Sequence, residues 1–198
     1  MLNLLLQSLY FFLPAYFANM APIIFKKLPL LNQPINEKHF GKNKTWRGIV
    51  TAILFGTLIF YLQQLAYTKG FTSLALIDYN GFSLWLGIAM STGAILGDLI
   101  KSYYKRKADI PPGKPWFGWD QLDFVIGGLL GSMLVYVPTI SIILILLIIS
   151  PLLHILVNLI AYVLKIRDTK FWKHNLLNAV TVAVTLNALT SLIDNHYQ

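Results

Sequence analysis

Four of the chain's eight acidic residues fall in one stretch, GDLIKSYYKRKADIPPGKPWFGWDQLDF, residues 97–124. Asp120 and Asp123 are three apart, so a helix sets them on one face. Asp98 follows Gly97, and Lys101, Lys105, Arg106 and Lys107 lie between the acids. Carboxylates interleaved with cations suit a hard divalent ion held against a phosphate-bearing substrate. Mg²⁺ takes oxygen ligands and commonly binds through one or two carboxylates plus substrate phosphates. In phosphoryl-type transfer, positioning and charge neutralisation are most of what a protein supplies. Plainer readings exist for each part alone. Asp120 fits a helix N-cap with Asp123 as its capping-box partner, the four cations fit anchors of a cytoplasmic loop, and Asp98 fits a simple pair with a loop lysine. The joint arrangement favours the metal and phosphate reading.

A second cationic element is GKNKTWRG, residues 41–48. Lys44, Thr45 and Arg47 offer two cations and a hydroxyl to a phosphate, Gly41 and Gly48 permit close backbone approach, and Trp46 suits a membrane interface. The spacing is not that of a P-loop. Asn19, in PAYFANMAP, is a polar residue in an apolar run and is a candidate for a polar cavity or for interhelical hydrogen bonding. His154 and Asn158 are four apart and read best as a packing hydrogen bond. With no cysteine in the chain, disulfides, thiolate catalysis and thiolate metal sites are excluded. No GxSxG elbow, HExxH pair or dinucleotide fingerprint is present, and no polybasic run suggests nucleic acid.

These groups need a scaffold, and the composition says which kind. The chain has 198 residues, 56% hydrophobic and 12% charged, with a mean hydropathy of +0.61 and a net charge of +8. Soluble domains carry about 25% charged residues. Uncharged apolar stretches approach the roughly 20 residues that cross a bilayer. They predict an all-α, polytopic transmembrane helix bundle of five spans: about 2–25, 48–67, 82–100, 124–137 and 139–164. Pro14 and Pro22 interrupt the first, Pro138 ends the fourth and Pro151 is a kink point in the fifth. Residues 175–193 form a candidate sixth span. Of the sixteen Lys and Arg, all but Lys69 fall on one side of the five-span arrangement. The positive-inside rule places that side in the cytoplasm and the N-terminus outside, which predicts a multi-pass cell-membrane protein with its site facing the cytoplasm.

Gly97-Asp98, Ser102, Lys105-Arg106, Pro112-Gly113 and Asp120-Gln-Leu-Asp123 together resemble the signature of the CTP-dependent phosphatidate cytidylyltransferases, the CDP-diacylglycerol synthases. KTWRG at 44–48 resembles that family's KTWEG element. The segment between Lys-Arg and Pro-Gly is shorter here, and Lys114, Pro115 and Trp116 stand where His-Gly-Gly usually follows. Both departures, with PAYFANMAP, GKNKTWRG and PLLHILVNLIAY at 151–162, resemble a shorter branch, the CDP-archaeol synthases. The similarity covers about residues 10–172. A transmembrane cytidylyltransferase domain is therefore expected over 1–172, with a C-terminal helix at 173–198 beyond it.

The resemblance implies conversion of CTP and a glycerol-phosphate lipid, archaeal-type diether or related, to a CDP-activated lipid and pyrophosphate. It implies Mg²⁺ on Asp98, Asp120 and Asp123, with Lys44, Thr45, Arg47, Lys105 and Arg106 on the nucleotide phosphates. A CTP- or ATP-dependent lipid or polyisoprenol kinase is the enzymatic alternative, and a non-catalytic membrane protein the alternative from another class. Ether or ester linkage, the number of metal ions and a homodimer stay open at this point.

Overall fold

The structure is a computed structural model that describes residues 2–111, 114, 116 and 118–163. The candidate sixth span, the segment 173–198, and Pro112, Gly113 and Pro115 of the signature lie outside the described residues, as do the side chains of His154 and Asn158. The described residues are helical, without a named strand. The helices are α1 (Leu2–Phe11), α2 (Leu13–Ile24), α3 (Glu37–Phe40), α4 (Trp46–Thr68), α5 (Trp85–Lys107), α6 (Trp119–Met133) and α7 (Ile140–Val163), with a 3-10 turn at Tyr79–Gly81. The chain divides after Pro151. The unit before that point carries the site; the described part of the unit after it is the second half of α7.

Large apolar side chains stand on the outside as well as in the core. Ala15, Ala18, Ala21, Ala52 and Ala94 are buried, while Leu54 on α4, Leu130 on α6 and Ile148 on α7 are 65%, 60% and 62% exposed. The exposed positions recur every three to four residues along each helix (Val50, Leu54, Leu58 and Leu62; Ile126, Leu130 and Leu134; Ile140, Leu144 and Ile148), so each forms one stripe. In water such stripes would be a severe liability. In lipid they carry no penalty, and small residues inside let backbones approach.

Helices lie in each of the five expected spans, with informative differences at their ends. The first is bent by 49° between α1 and α2, where Pro14 opens the second helix. The third runs two turns beyond Ile100, to Lys107. The fourth starts earlier and stops at Met133, before Pro138. Among the described residues α4 is the one helix long and apolar enough by itself to cross a bilayer, and α1 with α2 reaches that length as a bent pair. α6 has 15 residues, a rise of about 22 Å, less than the roughly 30 Å hydrocarbon core.

α5 and α6 make the most intimate pair. Gly93 and Gly97 on α5 face Gly127 and Gly131 on α6, and a Cβ on any of the four would strike the partner helix's backbone. This is a small-xxx-small contact contributed by both helices. α2 packs on α4, and Tyr16 and Ser150 share a 2.6 Å hydrogen bond that ties α2 to α7. The far end is closed by aromatic rings around buried Tyr79, with Tyr10, Phe60 and Tyr67 each within 6 Å of it.

Candidate active site

The glycine contact sets the site. Because α5 and α6 touch along their backbones, Asp98, one residue past Gly97, comes beside the first turn of α6. Asp120 and Asp123 point toward it. All three carboxylates converge on the ammonium of Lys101, whose Nζ is 3.1 Å from Asp98 Oδ1, 3.0 Å from Asp120 Oδ1 and 2.7 Å from Asp123 Oδ2. Lys44 pairs with the other Asp98 oxygen. Lys105 donates to both Asp120 oxygens at 3.1 Å and to the Lys114 carbonyl at 2.6 Å. Three carboxylates thus face three ammonium groups, and the cluster is neutral.

Local structure fixes each acid. The helix N-cap that Asp120 was a candidate for belongs to Gly118, whose N–H donates to Gln121 Oε1 at 2.8 Å. Asp120 lies in the first turn, where its Oδ2 accepts the Trp116 N–H at 2.6 Å. Asp123 is the most enclosed acid, its side chain 4% exposed. Its Oδ1 accepts the Phe124 N–H, while buried Oδ2 makes no well-aligned hydrogen bond and meets only the Lys101 charge.

The first basic loop closes the site from the side. Ile35 and Lys44 are joined by a 2.9 Å backbone hydrogen bond, and Arg47 Nη1 donates to the Leu28 carbonyl at 2.7 Å. α3 lies on the extension of α5, with the His39 and Phe40 rings against Tyr103. Thr45 is the N-cap of α4, its Oγ1 accepting the Gly48 N–H. A cavity of about 150 Å³ lined by Lys44, Asn43, Ser102, Lys105 and Arg106 opens here. That is below the usual 300 Å³ or more of a small-molecule site and suits a phosphate-sized group. Arg106 Nε is buried without a hydrogen-bond partner. Arg47 is committed to its loop, and Asn19 is half-buried on α2 and lines neither this cavity nor the next.

That next cavity is apolar and far larger, about 1110 Å³, running between α5 and α6 from Trp85 and Val135 to Lys101 and Asp123. Its floor is the glycine furrow; its walls include Leu96, Ile100, Ile126 and Leu130. The sequence foretells neither the groove nor the central place of Lys101. The paired Gly-xxx-Gly spacings at 93–97 and 127–131 are the signal for the first, and the i,i+3 spacing of Asp98 and Lys101 for the second.

No group of three or more His, Cys, Asp or Glu is clustered tightly enough to be a metal cage among the described residues. The carboxylates stand apart by the width of an ammonium, near 3 Å from its nitrogen, where Mg²⁺ requires about 2.0–2.1 Å. The donor chemistry nevertheless fits a hard cation: buried Asp123 Oδ2 has no well-aligned hydrogen bond and meets only the Lys101 ammonium, and Asp98 and Asp120 each turn one oxygen to the same point.

A helical body with stripes of large apolar side chains on its outer faces and a buried charge cluster at one end is that of an intramembrane enzyme. The solved structure of an intramembrane enzyme for archaeal membrane lipids biosynthesis superposes with a TM-score of 0.61 and 27% identity, covering 77% of this chain and 92% of that one. The family model for CarS-like CDP-archaeol synthases matches residues 1–172. CDP-archaeol synthase of Pyrococcus furiosus is 37% identical over 169 residues, 81% of this chain and 95% of the relative. That of Methanocaldococcus jannaschii is 37% identical over 173 residues, 84% of this chain and 97% of the relative. The chain belongs to the CDP-archaeol synthase family.

Proposed function

We propose that the protein catalyses CTP-dependent cytidylyl transfer to a glycerol-phosphate lipid of the archaeal diether type, giving a CDP-activated lipid and pyrophosphate. The observation that carries this is the junction of two unlike cavities at one cluster: an apolar groove wide enough for lipid chains and a cationic pocket of phosphate size meet at Lys101, beside Asp98, Asp120 and Asp123. The activity for which the CDP-archaeol synthase family is named agrees with that junction.

In this reading the lipid phosphate lies at the mouth of the groove and an oxygen of it attacks the α-phosphorus of CTP. A new P–O bond forms, the bond from the α-phosphorus to the bridging oxygen breaks, and pyrophosphate leaves. The nucleophile is already an anion, so no protein base is required. Asp98, Asp120 and Asp123 would hold Mg²⁺, which supplies charge neutralisation at the triphosphate. Lys44, Lys105 and Arg106 face the phosphate-sized pocket and stabilise negative charge as it moves to the leaving group. Thr45 and Arg47 hold the loop that carries Lys44, Thr45 by capping α4 and Arg47 by binding the Leu28 carbonyl. The catalytic domain is residues 1–172. It crosses the cell membrane five times, with the basic loops and the site in the cytoplasm, a topology supported by the charge bias and by the exposed apolar stripes on α4, α6 and α7. Every side chain invoked comes from one chain, so the chemistry does not depend on a homodimer.

The deciding experiment gives purified protein CTP, Mg²⁺ and diether or diacyl glycerol phosphate in parallel. Label at the α-phosphorus entering the diether lipid supports the proposal; transfer of only γ-label would make the enzyme a kinase.

A further inference from the structure

Among the described residues Lys101 alone lines both cavities. It is also the common partner of all three carboxylates. Two of the oxygens it engages are left over once the others are satisfied, since Asp98 Oδ2 is taken by Lys44 and Asp123 Oδ1 by Phe124 N–H; the third, Asp120 Oδ1, it shares with Lys105, while Asp120 Oδ2 is taken by Trp116 N–H and Lys105. The ammonium therefore stands at the one point where a cation could use all three. A divalent ion and an ammonium cannot share it. The cluster is neutral with Lys101 in place, so an added double charge within a few ångströms of that ammonium meets strong repulsion in a poorly solvated setting. Yet an ammonium on a four-carbon stem is easily redirected, and the groove mouth is already in contact with its side chain.

We propose that Lys101 is a tethered counter-ion that holds the three carboxylates together in the metal-free enzyme, yields the position to the divalent ion, and then binds the phosphate of the lipid substrate at the end of the α5–α6 groove. This rests on the cytidylyltransferase reading and adds to it a residue with two successive partners. Metal loading and lipid-phosphate binding become linked, because the ion frees the group that receives the lipid.

The test uses full-length protein in detergent, wild type against Lys101→Met and Lys101→Gln. Mn²⁺ is titrated without nucleotide and read by electron paramagnetic resonance, unfolding is followed in EDTA and in Mg²⁺, and KM is measured for each substrate. Removing the competing ammonium should lower the Mn²⁺ concentration for half-saturation by about tenfold or more, the loss of one charge-assisted contact. It should also make both variants less heat-stable than wild type in EDTA and more strongly stabilised by Mg²⁺. KM for the lipid phosphate should rise by about tenfold or more while KM for CTP stays within about twofold, since no CTP phosphate is assigned to Lys101. Unchanged Mn²⁺ affinity, or a lipid KM that does not move, overturns the inference and leaves the carboxylate site standing. Failure of wild type and both variants alike to bind Mn²⁺, with or without CTP, sinks the metal reading itself and this inference with it.

Discussion

Gly97 and Asp123 touch through their backbones: a Cβ placed on Gly97 would run into the carbonyl carbon and oxygen of Asp123, with no flexible side chain to give way. This contact sets the separation of the acids, because Asp98 and Asp123 are fixed at the same crossing. Gly97→Val should therefore cost about 1–3 kcal/mol of stability, the usual range for overpacking. It should cost activity out of proportion, since spreading α5 from α6 pulls Asp98 away from Asp120 and Asp123. Thermal unfolding beside cytidylyl transfer at a temperature where the variant is folded checks this. Activity near wild type would mean that the acids need not be held at this spacing.

Asp123→Asn keeps size and shape and removes the charge from the most enclosed carboxylate. The variant should insert into membranes normally and lose turnover by at least about 100- to 1000-fold, the scale of removing one electrostatic contact to a transition state. Membrane fractionation and transfer of α-labelled CTP separate the two effects. A variant with near-normal activity would refute Asp123 as a metal ligand.

Metal removal follows from the same donors. EDTA should abolish transfer, and Mg²⁺ should restore it. CTP with Mg²⁺ should raise the unfolding temperature where neither does so fully alone; a ligand at a hundred times its Kd stabilises by about 2.7 kcal/mol. Full activity after exhaustive chelation would leave the carboxylates as ion-pair partners of Lys44, Lys101 and Lys105.

How far the sequence discloses this arrangement depends on what kind of force positions each residue. The three carboxylates are legible, because DQLD puts two on one helical face and Gly97-Asp98 ends an apolar run. Membrane character and the apolar segments are legible from hydropathy, whose signal is local. The place of Lys101 is hidden by that same signal. Hydropathy ends the third span at Ile100, whereas Lys and Arg are good helix formers and α5 continues to Lys107, turning an apparent loop anchor into a helical neighbour of Asp98. Thr45 and Arg47 sit in a motif suggestive of phosphate binding, but backbone demands claim them: an exposed helix start takes the hydroxyl, and an unpaired loop carbonyl takes the guanidinium. Asn19 shows no such claim and no place at either cavity. The α5–α6 groove depends on tertiary contact between two Gly-xxx-Gly pairs, which a reading by single segments passes over.

The membrane orientation can be measured without removing a native group, because the chain has no cysteine. Single cysteines at Lys107, at the exposed end of α5, and at Lys69, just after α4, report opposite faces if α4 and α5 cross the bilayer in succession. Neither position belongs to the carboxylate cluster, so both variants should retain transfer activity. A membrane-impermeant maleimide added to intact cells should label Lys69→Cys and spare Lys107→Cys; opening the cells should make both react. The reverse pattern would place the carboxylates outside. CTP is a cytoplasmic metabolite and a tetra-anion that does not cross lipid, so an external site could not be supplied with it. Labelling of both positions from outside would mean that α5 does not cross the bilayer between them, and the five-span topology would fall with it.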